Sequence, residues 1–232
     1  MFIIIDDIGG LSKTPDFANW YKSFADSLST NFNTKIPLII MLTSHPKITK
    51  KLYKHNPSFN RIFTYDSVEF LQKNEVENFF LKQMESENIK IESDALKLMV
   101  EFTAGSPTMM QYIGEETYYL ADDLITKDIA LKGIKNACKQ IEKRYLQISL
   151  SEFNIYSDDL KILRILGKNF IDNAYGSYSF KLDDISSQLT KFDEEIFDDF
   201  IEKTIKADII EVKSNDEYAF TNDLYSIYFS IA

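Results

Sequence analysis

The chain has 232 residues and a mass of 27.0 kDa, enough for one large domain or two modest ones with a real core. Its 44% apolar and 27% charged residues are a globular balance, and the net charge is −10, so disorder throughout and a fibrous repeat are excluded. A single cysteine, Cys138, excludes an internal disulfide and a cysteine-rich zinc site, and two histidines, His45 and His55, exclude a multi-histidine metal centre.

The longest apolar runs, Phe2–Ile5 and Ile36–Leu42, fall far short of the roughly 20 residues of a membrane span. Asp6 and Asp7 interrupt the first run too early for a signal peptide, so no membrane partner is expected and the default compartment is the cytoplasm. Phe2–Ile5 is a β-branched run expected to form a strand buried on both faces. Gly9-Gly10 ends it, and Phe17, Trp20, Tyr21, Phe24 and Leu28 follow at helical spacing. Ile36–Leu42 reads as a second strand with Pro37 at its start, and Ile62–Tyr65 as a short third one. Between them, Lys47, Lys50, Lys51 and Lys54 read as a solvated basic loop holding His55.

From Lys73 the pattern turns helical. One helix carries Val76, Phe79, Phe80 and Met84, and a second, capped by Ser93, carries Ala95, Leu96, Met99 and Val100. Gly105-Ser-Pro-Thr opens a third, with Pro107 in the first turn. A fourth spans roughly residues 127–145 and packs Ile134, Ala137, Cys138 and Ile141, the thiol reading as an inert core group. A boundary is expected near Leu150–Tyr156. Beyond it come a helix with Leu160, Leu163, Leu166 and Phe170, a turn at Gly176, an extended piece at Phe180, helices over 183–189 and 193–206, and a hairpin about Ser214-Asn-Asp. That order is a winged helix-turn-helix. The fold class expected is α/β: a partial α/β core over residues 1–70, an all-α bundle over 71–150, and a winged helix over 151–232.

A buried strand ending in adjacent carboxylates, Phe2-Ile-Ile-Ile-Asp6-Asp7, delivers them to the crevice where α/β sheets bind ligands. One can hold a hydrated Mg²⁺ and its neighbour can polarise water; the plain alternative is a strand end entering a turn. With the elements that follow, the sequence resembles the AAA+ class of P-loop ATPases, especially archaeal and initiator-like members ending in a winged helix. Phe2–Asp7 resembles the Walker B strand. Ile36–Ser44 resembles the strand ending at sensor 1, with Thr43 or Ser44 as the sensing hydroxyl. Arg61 resembles the arginine that reaches a neighbouring subunit's nucleotide, the alternative being a surface residue paired with an acid. Gly105, Pro107 and Thr108 resemble the sensor-2 region of the helical lid. The resemblance implies ATP and Mg²⁺ as cofactors of a complete form, with Asp6 on the metal, Asp7 orienting water and Arg61 acting in trans.

The departures bear on activity. No G-x-x-x-x-G-K-[ST] occurs, so the amide nest and lysine that grip the β- and γ-phosphates are missing. Asp7 stands where the family more often has glutamate, and no basic residue occupies the sensor-2 position near Thr108, Met109 and Met110. In this family the phosphate-loop strand lies centrally, so the sensor-1 strand and Ile62–Tyr65 are expected to flank an unfilled slot, and Met1 to be an internal methionine of a longer frame or the start of a remnant. Residues 151–232 carry 8 basic and 17 acidic groups. The candidate recognition helix is expected to expose Asp193, Glu194, Glu195, Asp198, Asp199 and Glu202, with Lys203 and Lys206 only at its end, which disfavours DNA and favours a protein partner or self-association. Two readings stay open: the later part of an AAA+ ATPase, inactive alone, or a non-catalytic adaptor with a degenerate nucleotide site.

Overall fold

The computed structural model describes residues 2–31, 39–44, 46–66, 68–152, 157–173, 175 and 178–231. Pro37, His45 and Gly176 lie outside them, as do residues 153–156 of the boundary expected near Leu150–Tyr156. Two compact units emerge, residues 1–68 and 69–232.

In the first unit, β1 (Phe2–Ile5) pairs in parallel with β2 (Ile39–Leu42), Phe2 opposite Ile39 and Ile5 opposite Leu42. Helices α1 (Asp16–Asn31) and α2 (Pro46–His55) connect and follow the strands. Ile5, Ile40 and Leu42 pack towards a core of Ile8, Ala18, Tyr21, Leu52 and Phe59. The other face is open: Phe2, Ile4, Ile39 and Met41 are 56%, 58%, 57% and 47% exposed. The expectation of a strand buried on both faces is therefore corrected, since helices cover one face alone among the described residues. Trp20 also stands out, exposed on α1 and stacked on Phe24 at 5.6 Å.

Two further expectations change. The lysine-rich stretch is helix and not loop, because Ile48, Leu52 and Tyr53 place an apolar stripe beside the lysines and Pro46 suits a first helical position. His55, at its end, is half-buried, with Nε2 3.1 Å from the Ser12 carbonyl. Ile62–Tyr65 forms no strand; Phe63 instead packs its ring 4.6 Å from Phe59 and 4.8 Å from Tyr21. A strand needs a neighbour to satisfy its backbone, and none is described beside it.

The second unit begins with α3 (Lys73–Ser86), β3 (Lys90–Ile91), α4 (Ser93–Thr103), α5 (Pro107–Leu120), β4 (Leu124–Ile125) and α6 (Lys127–Ile141). The two short strands pair in parallel. Ser93 is the first helical residue and not the cap; Glu92 precedes it and accepts the Lys127 amide at 3.2 Å, tying α4 to α6. Cys138 is buried on α6, and burial pushes its thiol up to about 12. A π-helical turn, Glu142–Leu146, carries α6 into α7 (Gln147–Glu152).

Then come α8 (Ser157–Asp172), α9 (Leu182–Ile185), α10 (Lys191–Glu195), α11 (Phe197–Lys206), the antiparallel hairpin of β5 (Ile210–Ser214) and β6 (Glu217–Phe220), and α12 (Asp223–Ile231). Phe180 adds a single bridge to Tyr218 on the hairpin. One hydrophobic core runs from Val76 to Phe229 through all these parts. The expected helix over 193–206 is divided at Ile196. Asp193 is not exposed: at 1% exposure it accepts bonds from Lys161 Nζ (2.5 Å) and from the amide and hydroxyl of Thr190 (2.7 Å each). Glu194, Glu195, Asp198, Asp199 and Glu202 do face solvent.

Helix α12 crosses α8 at Gly167. A Cβ there would lie 2.5 Å from Ser230 N, 2.7 Å from Ser226 O and 2.8 Å from the Phe229 carbonyl carbon, all backbone atoms that cannot rotate away. Gly167→Ala is expected to cost about 3 kcal/mol and lower Tm by roughly 6–12 °C. Gly10→Ala, whose methyl meets nothing within 4 Å, is the control and should stay within about 0.5 kcal/mol. Equal melting of the two variants would contradict the packing.

Burial opposes the charge of Asp193, but Lys161 and Thr190 outweigh it and lower its pKa. The stability this contributes is complete above the unfolded value of about 3.9 and is lost as pH falls through the lower native value. Asp193→Ala should cost about 2 kcal/mol at neutral pH in urea melts. The gap to wild type should close in acid; a gap unchanged below about pH 4 would contradict the pairing.

Candidate functional site

In-register pairing of β1 with β2 brings the chain segments after them together: Ile5 faces Leu42, so Asp6 and Asp7 meet Thr43. Thr43 is the hub. Its amide donates to the Ile5 carbonyl and its carbonyl accepts from the Ile8 amide, both at 3.1 Å. Its hydroxyl donates to Asp6 Oδ1 and accepts from the Asp7 amide at 3.0 Å. The second Asp6 oxygen has no partner among the described residues. Both aspartates are exposed.

Asp7 takes a left-handed conformation (φ 48°, ψ 66°) and its Oδ1 lies 3.4 Å from the Gly9 amide, capping a 3₁₀ turn over Ile8–Ser12. That is the turn-forming role an aspartate plays without any ligand, and one carboxylate oxygen is left over. Ser44 turns away: its hydroxyl pairs with Thr49 Oγ1 at 2.8 Å in the first turn of α2. Of the two hydroxyls left open by the sequence, Thr43 touches the aspartates.

Arg61 closes a 3₁₀ turn, Pro57–Arg61, capped by Asn56 Oδ1 on the Ser58 amide at 3.0 Å and anchored by buried Phe59. It is exposed and has no ionic partner among the described residues.

Gly105, Pro107 and Thr108 belong to the second unit. Gly105 sits at φ 77° with its Cα against the Leu71 backbone; a Cβ would lie 2.2 Å from the Leu71 carbonyl oxygen. Its carbonyl accepts the Leu71 amide at 3.0 Å, so Gly105 holds the chain entering α3 against the start of α5. Pro107 is the first residue of α5, behind the cap Ser106, and Thr108 is half-buried. Sequence reasoning missed Tyr175, whose hydroxyl donates to the Val100 carbonyl at 2.6 Å and lies 3.1 Å from Thr103 Oγ1, which in turn accepts the Gly105 amide at 3.2 Å. No spacing signal marks it, because its partners lie more than seventy residues upstream.

Among the described residues no cluster of three or more His, Cys, Asp or Glu gathers to hold a metal ion. The free oxygen of Asp6 fits a contact to a hydrated Mg²⁺, which needs few protein ligands. Nothing in the sequence supplies the lysine or amide nest that grips phosphates. The residues present fit one side of a magnesium–phosphate site and not the other.

No protein-family model and no curated protein sequence matches the chain. Solved structures do. The Walker-type ATPase PABY2304 of Pyrococcus abyssi matches with a TM-score of 0.53 at 15% identity, over 98% of this chain and 62% of that one. ORC2 of Aeropyrum pernix matches at 0.48 and 7% identity, over 99% and 64%. The RuvB Holliday junction branch migration motor of Thermotoga maritima matches at 0.44 and 15%, over 93% and 65%. The chain thus spans less than two thirds of the length of each. Its likeness to the Pyrococcus structure shows a helix-rich α/β fold shared with that Walker-type ATPase.

Proposed function

We propose that the chain carries the portion of an AAA+ ATPase from the Walker B strand onward, with a helical lid over 71–150 and a winged helix over 151–232. In the complete form, ATP binding and hydrolysis would move lid and winged helix together. The observation that carries this reading is the Asp6–Thr43 contact at the ends of two adjacent parallel strands: a carboxylate with one oxygen fixed by a hydroxyl and the other free among the described residues. In this reading Asp6 holds Mg²⁺ through water, Asp7 orients the attacking water, Thr43 senses the γ-phosphate and Arg61, exposed and without an ionic partner among the described residues, serves a neighbouring subunit's site. Gly105, Pro107 and Thr108 would be the lid's cofactor-binding residues in that complete form.

A second reading, an adaptor with a degenerate site, is favoured by two observations. Asp7 is engaged in capping its own turn, and α5 begins without a cation. An in-frame phosphate-loop motif upstream of the Met1 codon would separate the two in favour of the first. Under either reading a protein partner or a second copy fits the open apolar face of β1 and β2. Duplex DNA is disfavoured by α11, which exposes Asp198, Asp199 and Glu202 with Lys203 and Lys206 only in its last turn, and by the hairpin, where Lys213 is paired to Glu211 at 2.7 Å.

Calorimetry on this chain should give ATP·Mg²⁺ binding no tighter than millimolar, and gel retardation should show no duplex DNA binding at physiological salt. Micromolar ATP binding would overturn the half-site reading; retardation lost on deleting residues 151–232 would overturn the protein-docking one.

A further inference from the structure

A groove of about 590 Å³ runs between α3 and α5. Phe79, Met84, Met110 and Tyr118 line it, and Phe79 and Tyr118 are more than a third exposed. Its lining includes two carboxylates, Glu87 and Glu115, both facing solvent, and no lysine or arginine among the described residues.

Gly114 forms part of the wall, in the interior of α5. Glycine weakens a helix interior relative to alanine, so its presence needs a cause. Gly133 and Gly167 have one: an added Cβ would come within 2.4 Å of Thr117 and 2.5 Å of Ser230. Gly114 has none of that kind. A Cβ there would meet Phe80 Cε1 at 3.5 Å, an ordinary contact, and its φ is not in the left-handed region. What a side chain at this position would do is fill the groove.

We infer that the α3–α5 groove is a docking site for an amphipathic helix of a partner protein, one that presents large aliphatic side chains to the groove and lysine or arginine to Glu87 and Glu115. An apolar trough between two helices takes the ridge of a third, and the unbalanced carboxylates select a basic flank. The inference stands apart from any nucleotide chemistry in the first unit.

The probe is a fluorescein-labelled, stapled helical peptide with leucines at i, i+4 and i+7 and lysines on both flanks, titrated into the full chain by anisotropy. It should bind in the micromolar range, and about tenfold or more weaker when the lysines are replaced by glutamate. Gly114→Leu should abolish binding with Tm unchanged or raised. The surface variant Glu87→Lys/Glu115→Lys, which touches no packing, should weaken binding as strongly and keeps the test valid if Gly114→Leu unfolds the chain. Absence of binding, equal binding of the two peptides, or binding unmoved by the surface variant would overturn the inference. So would a wild-type dimer in sedimentation that Gly114→Leu or the surface variant dissociates, since the occupant would then be a second copy.

Discussion

The register of β1 against β2 is the constraint on which the first unit depends. Period-2 alternation means that a one-residue slip of β1 would turn Ile5 out of the core, or one of β2 would turn out Ile40 and Leu42, and either would separate Thr43 from the aspartates. Four paired residues cannot hold a register alone, since isolated two-stranded pairing is marginal in water. The backbone bonds of Thr43 to Ile5 and Ile8 clamp the end of the ladder, and the cluster of Tyr21, Leu52 and Phe59 holds one face. Chemistry and folding thus meet in one residue: the hydroxyl that fixes Asp6 belongs to the residue whose backbone fixes the sheet.

The second unit is organised by close helix crossings. Gly167 lets α12 lie directly on α8, and Gly133 does the same for α6 beneath Thr117 of α5. Because α12 also packs on α6, the last helix is built into the core that begins with Val76. The ion pair of buried Asp193 with the partly exposed Lys161 then fixes α10 to α8.

Much of the architecture was legible in the sequence. Helical spacing located α1, α3, α4, α5, α6 and α8, Pro107 marked the start of α5, and Ser214-Asn-Asp marked the hairpin turn, where Asp216 takes φ 59°. Helix α12 was missed because Leu224, Tyr225, Ile227, Tyr228 and Phe229 are apolar on nearly every side, leaving no periodic contrast to detect. Helix α2 was hidden by its lysines, and Ile62–Tyr65 has strand composition without a strand neighbour. Asp193 read as a surface acid because its partner Lys161 lies 32 positions away. At the site, the aspartate pair was visible as residue types at the end of an apolar run. The choice between Thr43 and Ser44 was not, because it is decided by pairing register, which sequence does not encode locally.

The hub role of Thr43 is open to a direct measurement: amide hydrogen exchange resolved at Asp7, Ile8 and Thr43, in wild type and in Thr43→Val. Valine keeps the shape and the backbone bonds but removes the hydroxyl. The account predicts an Asp7 amide protected in wild type and exchanging about tenfold faster or more in the variant, the loss of roughly one hydrogen bond, with Ile8 and Thr43 unchanged. An Asp7 amide that exchanges at the same rate in both proteins would contradict it.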